Sequence, residues 1–128
     1  MVTGKQYYEF LYFLSTQEAT QQANGSWTPG TSGWQLKGAC REETNGKGSE
    51  ITTNDGKAIR FASLIQLPVG TTRIPEGTKV IVTREQLQTP ANLASESYRR
   101  TARETGLIVA EGVCLKFDFG RLHSRLWI

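Results

Sequence analysis

Runs of alternating apolar and polar residues recur along this chain, each bounded by glycine, asparagine or proline. That pattern fits short, half-buried β-strands. The run from Gln6 to Leu14 puts Tyr8, Phe10, Tyr12 and Leu14 on one side. Trp34, Leu36, Gly38 and Cys40 form a second set, with Gln35, Lys37 and Arg41 facing the other way. Ile51-Thr52-Thr53 leads into Asn54-Asp55-Gly56-Lys57, a hairpin signal, because Asn and Gly accept the positive φ that tight hairpins need. The return strand runs from Ala58 to Leu67, with Ile59, Phe61, Ile65 and Leu67 on one face. Pro68 ends it, since proline cannot donate to a ladder. Pro75-Glu76-Gly77 makes a turn before a short strand from Thr78 to Thr83 carrying Val80 and Val82. Leu107–Val109, Val113–Phe119 and Arg121–Ile128 follow, separated at Gly112 and Gly120. In the last of these Leu122, Ser124, Leu126 and Ile128 share one face, and His123, Arg125 and Trp127 the other. Six or seven strands result. The expected fold is mainly all-β, a small antiparallel β-barrel or sandwich forming one domain over residues 1–128.

Two stretches break the alternation. Ser15 to Gly33 is polar, holds the turn pairs Asn24-Gly25 and Pro29-Gly30, and reads as a long loop carrying Trp27. A tryptophan there either docks a partner or folds back onto the core. From Arg84 to Gly106 the period changes. Thr89-Pro90 suits a helix start and Gly106 a stop, with Ala91, Ala94, Tyr98 and Ala102 at helical spacing between them. This predicts a helical or arm-like insertion near residues 89–105, weakly docked because its stripe has little bulk, and basic at Arg99, Arg100 and Arg103.

The chemistry of sites is thin. A single histidine, His123, has no zinc partners at ligand spacing and no nucleophile motif near it, so it reads as a surface strand residue. Asn45-Gly46-Lys47-Gly48 lacks the length and following helix of a phosphate loop. Asp55, Glu76, Glu104, Glu111 and Asp118 show no spacing that pairs carboxylates for acid–base work. The expectation is a protein that is not an enzyme and takes no cofactor, metal or small-molecule substrate. Cys40 and Cys114 are far apart and read as buried free thiols of a reducing compartment. The start, Met1 to Lys5, shows no signal-peptide pattern, no apolar run reaches membrane-span length, and Asn24-Gly25-Ser26 reads as a turn more than a glycosylation site. A hydrophobic content of 38% rules out wholesale disorder, and a net charge of +3 tolerates nucleic acid without demanding it. The candidate partner-binding residues are aromatics and arginines: Trp27, Trp34, Tyr98, Arg99, Arg100, Arg103, Arg125 and Trp127. Trp127, Arg125 and His123 on one strand face, with Tyr7, also sketch a stacking platform for single-stranded nucleic acid, as in OB-like barrels.

The order of these motifs carries a resemblance. The unit from Trp34 to Arg41, the turn Glu43-Thr44-Asn45-Gly46-Lys47-Gly48, the Asp55-Gly56 hairpin and the strand Ile59–Leu67 come first. Ile74-Pro75-Glu76-Gly77-Thr78 with its Val-rich strand follows, and Gly120 to Ile128 closes the chain. Over residues 30–83 and 107–128 this layout resembles the head-closure (stopper, or head–tail joining) proteins of tailed phages and prophages of Bacteroides-type bacteria. The resemblance implies a structural virion protein assembled in the host cytoplasm. It would form a ring with copies of itself beneath the portal and adaptor, seal packaged DNA in the channel and receive the tail proteins, with no role for a membrane. The stretches 15–33 and 84–106 depart from the layout and are the arms that such a ring would use. Other neck or tail parts (an adaptor, tail terminator or decoration protein) share the particle and are the neighbouring readings.

Overall fold

The alternation seen in the sequence becomes burial along β7 (Ser63–Pro68), where Ser63, Ile65 and Leu67 are buried and Leu64 and Gln66 are half-exposed. In the computed structural model, which describes residues 7–17, 19–28, 30–53 and 55–128, the other strands vary, the run Val80–Thr83 being buried throughout. They are β1 (Glu9–Gln17), β2 (Thr20–Gln21), β3 (Trp27–Thr28), β4 (Thr31–Thr44), β5 (Glu50–Thr52), β6 (Ala58–Arg60), β8 (Lys79–Thr83), β9 (Ile108–Val113), β10 (Lys116–Phe119) and β11 (His123–Trp127). Seven strands form one antiparallel sheet in the order β10-β11-β7-β4-β1-β8-β9, and β2–β3 and β5–β6 are separate two-stranded ribbons. The fold is mainly β with one α-helix, as the sequence predicts.

The edge strands β9 and β10 are consecutive in the chain, separated by Cys114 and Leu115 alone. Cys114 N–H donates to Thr78 O at 2.8 Å, and Leu115 N–H donates to Trp127 O at 2.7 Å. One stretch of backbone thus passes from a partner at one edge of the sheet to a partner at the other, and the sheet rolls around its own core. That core holds Leu11, Ile65, Leu67, Val80, Val82 and Leu126 with the thiols of Cys40 and Cys114. Burial pushes the Cys114 thiol up to about 11. The Cys40 thiol is raised further, by burial first and then by the nearby Glu9 and Glu42 carboxylates.

A second apolar layer lies outside the roll. Tyr12, Ile81 and Ile108 from the sheet meet Leu93 and Ala102 from the insertion, with Phe10, Trp34 and Tyr98 around them. Here the structure corrects the expectation of a weakly docked stripe. The helix α1 (Glu96–Glu104) starts at Ser95, whose hydroxyl accepts from Tyr98 N–H at 3.3 Å. A 3-10 turn, Pro90–Ala94, precedes it. Ala91 and Ala94 belong to that turn and are exposed, so the bulk comes from Leu93, outside the stripe. The Tyr12 hydroxyl ties the segment down by accepting from Leu87 N–H at 2.7 Å. Gly106 ends the helix at φ +79°, a conformation that side-chain-bearing residues resist.

The long loop over 15–33 is also corrected. Ser15, Thr16 and Gln17 pair with Gly33, Ser32 and Thr31, so β1 and β4 continue as a hairpin, and β2–β3 extends it. β8 supports β1 only over Phe10–Phe13, and β7 supports β4 only over Arg41–Thr44. The ribbon therefore runs past its flanking strands. With little core to face, it carries few apolar residues, and the alternation that betrays a strand is missing. Three smaller differences follow. The return strand is broken at Phe61-Ala62 into β6 and β7; Gly112 lies inside β9; and Trp127 is buried where an exposed face was expected. The N-terminal stretch Met1–Gln6, Pro29 of the expected Pro29-Gly30 turn, and Asn54 of the hairpin signal lie outside the described residues.

Candidate functional site

Where the hairpin leaves the sheet it forms one wall of a cleft of about 480 Å³. The hairpin contributes Leu14, Ser32 and Trp34, β8 contributes Lys79, Val80 and Ile81, β9 contributes Glu111, Gly112 and Val113, and the insertion contributes Ala94 and Arg99. The placement follows from register. Leu14 pairs with Trp34 across the hairpin, and Lys79 pairs with Val113 across β8–β9, so each pair puts two side chains at the same level. The size is that of a small-ligand or side-chain pocket.

Its charges are unevenly committed. Arg103 holds Glu111 in a fork, one arm being Nη2 to Oε2 at 3.1 Å and the other Nε to Oε1. That carboxylate raises the Arg103 pKa, chiefly through the hydrogen bond. Arg99 Nη1 donates to Leu93 O at 2.5 Å, which anchors the guanidinium at the cleft wall and leaves other N–H donors for a ligand. Lys79 makes no side-chain hydrogen bond or ion pair among the described residues. The only acid of the lining is neutralised by a neighbour, and the two lining cations are not. The cleft is apolar and net positive.

Of the eight candidate residues, the cleft gathers Trp34 and Arg99, with Arg103 at its rim through Glu111. Tyr98 packs against the outer apolar layer. Arg100 points to solvent and pairs loosely with Glu96 at 3.9 Å, one helical turn away. Trp27 stands on the β2–β3 ribbon, 64% exposed. The turn beneath it is built by Asn24, whose Oδ1 accepts from Ser26 N–H at 3.0 Å and Ser26 Oγ at 2.6 Å.

Arg125 and Trp127 lie elsewhere and do not form an open stacking platform. Trp127 is only 8% exposed, with the Lys116 ammonium 5.6 Å and the Arg125 guanidinium 5.4 Å from its ring centre. Arg125 Nη2 is held by both oxygens of Asp118, at 3.0 and 2.9 Å. His123 Nδ1 is 2.5 Å from the Tyr7 hydroxyl. The sequence pointed to none of Leu14, Lys79, Glu111 or Val113 as site residues. Each sits in ordinary strand alternation, and only the strand register, which places Lys79 beside Val113, marks them out.

No three metal-ligating side chains cluster among the described residues, and no helix there is long and apolar enough to cross a membrane. Family models, curated proteins and solved structures were compared with the chain, and none matches it.

Proposed function

We propose that this chain is an assembly subunit whose β1–β4 hairpin reaches a neighbouring molecule, and that the assembly is the neck of a tailed phage. In that setting it would act as the head-closure part, a ring between portal and tail. The supporting observation is the hairpin itself. It extends past both flanking strands, leaves one edge of β4 without a strand partner among the described residues from Thr31 to Cys40, and carries an exposed tryptophan. Natural proteins shield or shorten such edges unless another chain covers them. A rigid rolled core with one long arm is the shape a ring subunit needs, and a mildly positive chain is compatible with a channel holding DNA.

Single-stranded nucleic-acid binding has less support, because the aromatic it would use, Trp127, is covered and its arginine is held by Asp118. The neck reading is tested by electron microscopy of lysates of the encoding phage after disruption of this gene. Tailless heads, many emptied of DNA, beside free tails support it. Intact, DNA-filled, tailed particles overturn it.

A further inference from the structure

The hairpin and the cleft belong to one contact. We infer that Trp27 of one copy seats in the Trp34–Arg99–Lys79 cleft of a second copy, an inference that rests on the assembly reading above.

Four observations carry it. First, the described surface offers an indole with no home: Trp27 is 64% exposed on its ribbon, so its own cleft does not hold it. A tryptophan side chain gains from burying roughly 150–250 Å² of surface, which makes such an exposed indole costly unless something covers it. Second, the cleft suits that ring. It offers about 480 Å³, with apolar walls from Leu14, Ile81 and Val113 and an aromatic wall from Trp34. Val113 is still 43% exposed there, so apolar surface remains to be covered.

Third, the charges match. Lys79 and Arg99 are cations without an acidic partner in the cleft, and an indole face attracts cations. The protein already uses this pairing at Trp127, between Lys116 and Arg125. Fourth, the geometry propagates. Arm and cleft are different surfaces, so after one contact the pair still has one free arm and one free cleft. Repeating the operation gives a closed ring if the rotation closes, or a filament if it does not.

The test is sedimentation velocity with negative-stain imaging of the full chain across a concentration series. Two variants accompany it. Trp27→Ala removes the knob, and Val113→Glu puts a carboxylate opposite Lys79, its cross-strand partner, and blocks the cleft. Each alone should weaken association by about tenfold or more, as loss of a buried aromatic anchor does. Mixing the two should restore one contact, because Trp27→Ala still offers a cleft and Val113→Glu still offers an indole. The mixture should therefore form pairs and stop there. Unchanged circular dichroism confirms that both variants fold.

Wild-type assembly with Trp27→Ala assembling equally well overturns the inference and leaves the assembly reading intact. A wild-type chain that stays monomeric at every concentration overturns both. A wild-type assembly that stops at two copies supports the contact as a reciprocal exchange of arms and overturns the ring.

Discussion

Replacing Leu93 with alanine measures how firmly the insertion is fixed to the sheet, and hence whether the cleft wall is rigid. Leu93 is fully buried between the 3-10 turn and the sheet, beside Tyr12, Ile81 and Ile108. Its own carbonyl holds Arg99. Truncating a leucine in such a place loses its transfer free energy and leaves a cavity, about 3 kcal/mol within a usual span of roughly 2–5. With a urea slope of about 2 kcal/mol per molar for a domain of this size, the unfolding midpoint should fall by about 1.5 M. Asn92→Ala, one residue away and exposed, should stay within about 0.5 kcal/mol of wild type. Urea unfolding followed by far-ultraviolet circular dichroism gives the midpoint, and hydrogen exchange over Glu96–Glu104 shows whether the helix loosens. A Leu93→Ala midpoint shift under about 0.3 M, with exchange unchanged, would refute the reasoning. It would mean that the insertion is an arm lying on the surface, as its thin alanine stripe suggests, and that Arg99 has no fixed place in the cleft.

Three further outcomes follow from single contacts. Trp127→Ala should cost about 3–5 kcal/mol in urea unfolding while Trp27→Ala changes stability by under about 0.5, because one indole is core and the other is solvent-facing; equal effects would contradict the burial. Ser95→Ala should cost about 0.5–1 kcal/mol, at the lower end for a lost N-cap because the bond to Tyr98 N–H is 3.3 Å long, and hydrogen exchange at Tyr98 should quicken. The Cys40 thiol is raised in the fold from an ordinary value of 9.0. Below that value both folded and unfolded chains keep the proton; above it the unfolded chain ionises first, so stability is lost as pH climbs. Urea midpoints at pH 7, 9 and 10 should decline, and Cys40→Ala should lessen that decline, the raised Cys114 thiol carrying the rest; a midpoint that rises with pH would contradict the burial of the thiols.

The rolled sheet was legible wherever one strand face meets the core. Ser63 to Leu67 alternates between buried and half-exposed residues, whereas Phe10 to Leu14 is apolar throughout because Leu11 joins the core and Tyr12 meets the insertion. Legibility fails where that cause is absent. Among its described residues the Thr16–Ser32 region is β-paired on one side only and its side chains face water, so its composition is that of a loop although its backbone is a ribbon. The helix was legible in type and misplaced in start. Pro90 opens a 3-10 turn, and the α-helix waits for Ser95, the residue whose hydroxyl can cap it.

The two tryptophans at opposite ends of the chain show why the candidate site was only half legible. Trp27 lies in a polar stretch and Trp127 between charged and apolar strand residues, and both look like partner-binding aromatics in one dimension. What separates them is the second partner of each strand. β11 has β10 on one side and β7 on the other, so Lys116 and Arg125 can lay their stems and charges across Trp127 and spend its surface inside the chain. Among the described residues β3 pairs with β2 alone, a two-residue strand with exposed side chains, and Trp27 is left 64% exposed. An aromatic on a two-stranded ribbon is thus left exposed by topology, whatever its sequence neighbours. The same reasoning gives Trp34 its place: it sits at the root of the ribbon, where the insertion crosses, and is covered on one face and open on the other. A tip that needs covering and a root that is half-covered, on one hairpin, are the two halves of the contact proposed between copies.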